Sequence, residues 1–239
     1  MALLAALTLA ASALLVPTAW AMSGGGTLHP NTPRKVSTVK LQVTSLPAES
    51  TLPAGMTLTL QKGFSAVAGG AGGSLCTTTQ AASPEGNQCP AASEIGTGSE
   101  TVTPDPPLFG ATGSLTLGLS FYLGPSEQAG CAATVDVIAK VASNDSLLSW
   151  PPGHGIGNLC AHSGGVRISF PSLPSYAYQT TGSTITVNAL SISLGSASGA
   201  VTGPWRNPSS CPRSRVWTGS LGLAFSSSSA QLPLELACR

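Results

Sequence analysis

The chain has 239 residues, with 10 Lys and Arg against 9 Asp and Glu; charged residues make up 8% of it, where soluble domains carry about a quarter. A net charge of +1 cannot line a groove for several phosphates, so nucleic acid is excluded as a partner. The 28 glycines and 19 prolines disfavour long helices, while 42% hydrophobic residues are too many for a disordered linker, which leaves a globular chain of short strands and turns.

Residues Ala2 to Val16 are almost wholly apolar, Pro17 breaks the run, and Ala19-Trp20-Ala21 places small residues where a signal peptidase reads them. Residues 1–21 are therefore expected to be a signal peptide cut before Met22. The apolar run is too short to span a bilayer, and no later run of about twenty occurs, so no transmembrane segment is expected in the mature chain. Residues 22–35, rich in Ser, Gly, Pro and Thr, read as a flexible lead-in. The expected location is extracytoplasmic: secreted or in the cell envelope.

From residue 36 onward the hydrophobic period is two. Val39-Leu41-Val43, Met56-Leu58-Leu60, Leu115 to Leu123, Ala133 to Val141 and Val166-Ile168-Phe170 each alternate with polar or small residues, as strands with one buried face do. In Thr184–Leu194 the apolar set shifts parity between Val187 and Leu190, which predicts a bulge or bend inside a long strand. Trp217 to Phe225 and Leu232 to Leu236, separated by a serine run, read as a hairpin. The fold class is all-β: an antiparallel β-sandwich, one large or two small, over 36–239, with a subdivision expected near 145–165.

Six cysteines, Cys76, Cys89, Cys131, Cys160, Cys211 and Cys238, predict disulfide staples in an exported chain. Fifteen connectivities exist; neighbour pairing is expected because each such pair closes a short segment flanked by strands. Chain entropy assigns roughly 3 kcal/mol to each.

The phrases Gly63-Phe64, Cys76, Cys89-Pro90-Ala91-Ala92-Ser93-Glu94-Ile95-Gly96-Thr97, Tyr122-Leu123-Gly124-Pro125, Phe170-Pro171-Ser172-Leu173-Pro174 and Asn207-Pro208-Ser209-Ser210-Cys211 resemble a pattern of secreted, cell-surface β-rich proteins of actinobacteria. The resemblance covers roughly residues 55–238 and implies a surface protein; it carries no catalytic residue. Locally, Pro90 is expected to hold the backbone out of a helix, Ile95 to plug an apolar face and Gly96 to take a positive φ.

Chemistry-bearing candidates are few. His154, Cys160 and His162 sit in a stretch that reads as a Gly-rich loop; as metal ligands they lack a fourth donor, and oxidation of Cys160 removes the third. No metal and no cofactor are expected. Gly-x-Ser-x-Gly is absent: Gly195-Ser196-Ala197-Ser198-Gly199 has Ala at the nucleophile position. Asp136 is expected to be solvated or paired with Lys140, and Asn144-Asp145-Ser146 to form a turn without calcium. A hydrolase would instead require His154 or His162 to converge with Asp136 or Asp145 and a serine. Trp150, Tyr176, Tyr178 and Trp205 fall near Pro/Gly turns, where exposed rings could stack on a sugar. The expected function is a non-catalytic structural or interaction module at the cell surface, with cell-wall polysaccharide or another surface protein as partner. The alternatives are a glycan-binding module using those aromatics and, behind it, a secreted hydrolase.

Overall fold

The structure, a computed structural model, describes residues 20–46, 53–67, 75–83, 88–105, 113–141, 153–173, 184–195, 204–226 and 228–239. In chain order the strands are β1 (Trp20–Ala21), β2 (Ser23–His29), β3 (Val36–Ser45), β4 (Gly55–Leu60), β5 (Ser65–Ala66), β6 (Glu94–Asp105), β7 (Leu115–Gly124), β8 (Cys131–Val141), β9 (Gly153–His162), β10 (Gly165–Phe170), β11 (Thr184–Leu194), β12 (Trp205–Arg206), β13 (Val216–Ala224) and β14 (Ser229–Ala237). One helical turn, α1 (Thr78–Ala81), and a 3-10 turn at Ala91–Ser93 precede β6. Among the described residues, no helix is long and apolar enough to cross a membrane.

The alternation read in the sequence sets the sheet. Strands pair antiparallel in the order β14-β13-β4-β10-β9-β8-β7-β6-β11-β3. Their inward residues form one cluster that runs from Leu28 and Leu41 through Leu117, Phe121 and Phe170 to Leu236. A flat sheet would hold Phe121 of β7 and Phe170 of β10 about 14 Å apart, three strand spacings. Their ring centroids are 6.1 Å apart in a T-shaped contact, so the sheet bends sharply around its core. The protein is all-β and disulfide-stapled, with one large antiparallel sheet bent around its main core.

The N-terminal stretch joins the two ends of the strand order. β2 pairs antiparallel with β3 and packs beside β14, while β1, which precedes the expected cut before Met22 and belongs only to the uncut chain, pairs parallel with β14 at Ala230 and Gln231. The lead-in expected to be mobile is thus partly a strand, with Met22 and Leu28 buried. Its glycines permit this: a Cβ on Gly24 would lie 2.0 Å from the Gln42 carbonyl oxygen, and one on Gly26 would meet Leu41, Leu234 and Leu236 at 3.2–3.3 Å. The corner that follows is pinned by the buried Asn207. Its amide donates to the carbonyls of Pro30 and Thr32, and its oxygen accepts from the Ser37 hydroxyl at 2.6 Å.

The parity change in β11 is a bulge between Val187 and Ala189, where Asn188 donates to Thr103 Oγ1 at 2.8 Å. The C-terminal hairpin pairs Val216–Ala224 with Ser229–Ala237. Within the subdivision expected near 145–165, residues 153–162 form β9, bonded to β8 on one edge and β10 on the other. The stapled corner departs from expectation in two ways. Pro90 heads a 3-10 turn, where Ser93 donates to its carbonyl. Gly96 is not in the positive-φ region; a Cβ there would meet the Ser193 carbonyl oxygen at 2.4 Å. Ile95 is fully buried, as expected.

Candidate functional site

All six cysteines are paired as neighbours in the chain. Cys131–Cys160 links residues directly opposite each other on β8 and β9, Cys211–Cys238 ties the segment before β13 to the chain after β14, and Cys76–Cys89 closes the α1 segment. That last segment lies on the outward face of the sheet. There Cys76, Ala81, Tyr122 and Ile138 form a second small apolar cluster, with Cys89 against it. The Cys76 amide donates to the Leu123 carbonyl, and a Cβ on Gly124 would come within 2.6 Å of the Cys76 carbonyl oxygen, so the segment sits directly on β7.

Under this roof lies Asp136, at the centre of β8 and directly opposite Tyr122. Its exposure is 0%, which overturns the expected solvated position; Lys140, four residues on, is exposed. The partner of Asp136 is His154, whose Nε2 lies 2.8 Å from Oδ1, with 18% of the imidazole side chain exposed. A carboxylate only accepts, so Nε2 carries the proton and Nδ1 is left as the second functional atom of the ring. Asp136 Oδ2 and Thr134 Oγ1, both buried, have no hydrogen-bond partner among the described residues.

The pair was hidden in the sequence because the segment around His154 is glycine-rich. It is β9, whose buried positions at 153, 155 and 157 are glycines, and at Gly157 the Phe170 ring fills the space: a Cβ there would lie 2.6 Å from that ring. His154 and His162 are therefore not loop residues. Eight positions apart on one extended strand, they are separated by about 26 Å and cannot share an ion, while the Cys160 sulfur is committed to its disulfide. Among the described residues no group of three His, Cys, Asp or Glu side chains could hold a metal.

The imidazole–carboxylate contact supplies two of the three groups of a hydrolase relay. Among the described residues no serine hydroxyl is hydrogen-bonded to the imidazole. Asp145 and the Asn144–Ser146 patch lie outside the described residues, as do Trp150, Tyr176 and Tyr178. Trp205 is described, and its expected exposure is corrected: it is 0% exposed within the core, because β12 lies between β3 and β5. Its ring cannot serve as a stacking platform.

A second feature is a groove of about 430 Å³ at the rim where β4 and β14 begin and β10 and β13 end. Its floor is a cross-strand row of outward residues, Ser169, Thr57, Gly222 and Gln231. No charged side chain lines it. The sequence signal was present as outward Thr, Ser and Gln positions on alternating strands, but only strand order brings them into one row. Compared with known proteins, the chain matches no protein-family model, no curated protein and no solved structure.

Proposed function

We propose that the chain is an exported, non-catalytic structural or interaction module, working at the cell surface or in the secreted fraction, where it presents a neutral polar wall to cell-wall polysaccharide or to another surface protein. The observation that carries this is the set of three disulfides with no free cysteine among the described residues, a usage that fits an oxidising compartment and not the cytosol. The outward strand positions support it: Ser169, Thr57, Ser220, Thr59 and Gln231 are uncharged and polar, with Arg167 opposite Thr59 and Glu235 opposite Thr218 as the charged members of these rows. The resemblance to actinobacterial surface proteins points the same way. The experiment is expression of the full chain in a secreting host, followed by fractionation. Recovery outside the cytoplasm, beginning at Met22, supports the proposal; retention of the whole chain in the cytoplasm opposes it.

The His154–Asp136 contact favours a second reading, a secreted hydrolase. Turnover of p-nitrophenyl esters or glycosides that is lost in His154→Ala and Asp136→Asn would promote it over the first.

A further inference from the structure

The groove at the β4/β10/β13/β14 rim has a floor whose shape depends on one residue that the fold itself does not require to be glycine. Most glycines of the wall are held by sterics: a Cβ on Gly219 would meet the Thr59 carbonyl oxygen at 2.7 Å, on Gly165 the Leu60 carbonyl oxygen at 2.2 Å, and on Gly55 the Phe170 carbonyl oxygen at 2.9 Å. Gly222 differs. Nothing lies closer to its Cβ position than the Thr57 carbonyl oxygen at 3.8 Å, and its φ is outside the positive region. A glycine inside a strand costs stability relative to residues with side chains. Here the missing side chain keeps the floor open between Thr57 and Gln231, its partners across the two adjoining ladders.

Along that floor, from Ser169 to Gln231, three strand spacings give a length of about 14 Å. The Thr57 and Ser169 hydroxyls lie 3.5 Å apart, and the exposed Gln231 adds an amide. Hydroxyls and amides each donate and accept, so they suit a ligand whose own groups do both. The absence of charge in the lining disfavours an ionic ligand, which would lose hydration without a counter-charge. Pro171 and Ala224, both exposed, give the groove apolar edges for C–H surfaces. The volume falls in the range of small-ligand sites.

We infer that this groove binds an uncharged, hydroxyl-rich polymer segment, a neutral polysaccharide, laid across the strands over Ser169, Thr57, Gly222 and Gln231. This rests on the interaction-module reading and names its ligand class. The test uses the full chain with its disulfides verified by mass, measured by affinity electrophoresis against laminarin, mannan, dextran and arabinogalactan, with acidic polygalacturonate as the charged comparison. At least one neutral polymer is expected to retard the protein more than polygalacturonate does. Gly222→Val fills the floor while suiting a strand, and is expected to weaken that retardation at least about tenfold with an unchanged or higher melting temperature. Ser169→Ala and Thr57→Ala weaken it by smaller factors. Gly118→Val is the control: it fills an equally open outward glycine elsewhere on the wall and leaves binding intact. Failure of every neutral polymer to bind, equal binding by Gly222→Val, or preference for polygalacturonate overturns the inference. Absence of binding with three disulfides intact removes the ligand and leaves the exported scaffold standing; free thiols in a protein that still binds remove the export reading and leave the groove.

Discussion

Replacing His154 by alanine leaves the Asp136 carboxylate inside the protein without its partner. Asp136 is 0% exposed, and its other oxygen already lacks a hydrogen bond among the described residues. Removing the donor to a buried charged acceptor leaves its desolvation uncompensated, about 1–3 kcal/mol. The imidazole lies at the margin of the roof, with 18% of its side chain exposed, but the carboxylate itself is 0% exposed, so the upper end applies, about 3 kcal/mol. For a chain of this size that lowers the melting temperature by about 6 °C. Asp136→Asn keeps an oxygen for the Nε2 proton but discards the charge, and should cost about 1 kcal/mol, the worth of an ordinary hydrogen bond. The decisive comparison is the double variant. His154→Ala with Asp136→Asn buries no unpaired charge and should be more stable than His154→Ala alone by about 1–2 kcal/mol, a coupling of the sort that contacting residues show. Urea unfolding followed by the fluorescence of the buried Trp205 and Trp217 measures all three. A loss below about 1 kcal/mol in His154→Ala, or a double variant no more stable than that single, would refute a buried carboxylate held by this imidazole.

Three further outcomes follow from the same geometry. Gly157→Ala drives a methyl group to within 2.6 Å of the Phe170 ring and should lower stability by about 1–3 kcal/mol in thermal unfolding, as overpacking does. Joint replacement of Cys131 and Cys160 by serine opens a loop with a sequence separation of 29 and should lower stability by about 3–4 kcal/mol on the chain-entropy estimate, read by denaturant midpoint against wild type. Burial pushes the Glu94 carboxyl above its ordinary value, so the folded state favours the protonated form. That contribution is complete below the unfolded value and is lost as pH rises through the folded one. Melting scans from about pH 4 to 7 should show Glu94→Gln gaining on wild type as pH rises, and a constant difference would contradict this.

Much of the fold could be read from alternation alone. Leu115 to Leu123, Ala133 to Val141 and the Trp217–Leu236 hairpin carry their inward faces in leucine, valine and phenylalanine, and the parity shift after Val187 is the bulge at Asn188. The long strand β6 was not read from alternation at all, and two others, β2 and β9, stayed hidden for one physical reason. In β2 and β9 closely approached positions are glycines, at Gly24, Gly26 and Gly157, because the partner fills the volume that a side chain would occupy. Composition reads such segments as loop. The site was less legible still, since Asp136 and His154 meet only through the register of β8 on β9, and Ser169, Thr57, Gly222 and Gln231 form a row only once β10, β4, β13 and β14 are ordered side by side. Trp205 misled because its Pro204 neighbour marks a turn, whereas the ring itself is in the core.

An exported β scaffold stapled by neighbour disulfides should show, on peptide mapping without reductant of the full chain recovered from the medium or envelope of a secreting host, a mature N-terminus at Met22 and three linked pairs, Cys76–Cys89, Cys131–Cys160 and Cys211–Cys238. A chain found only inside the cell, with two or more of these thiols free, would contradict it.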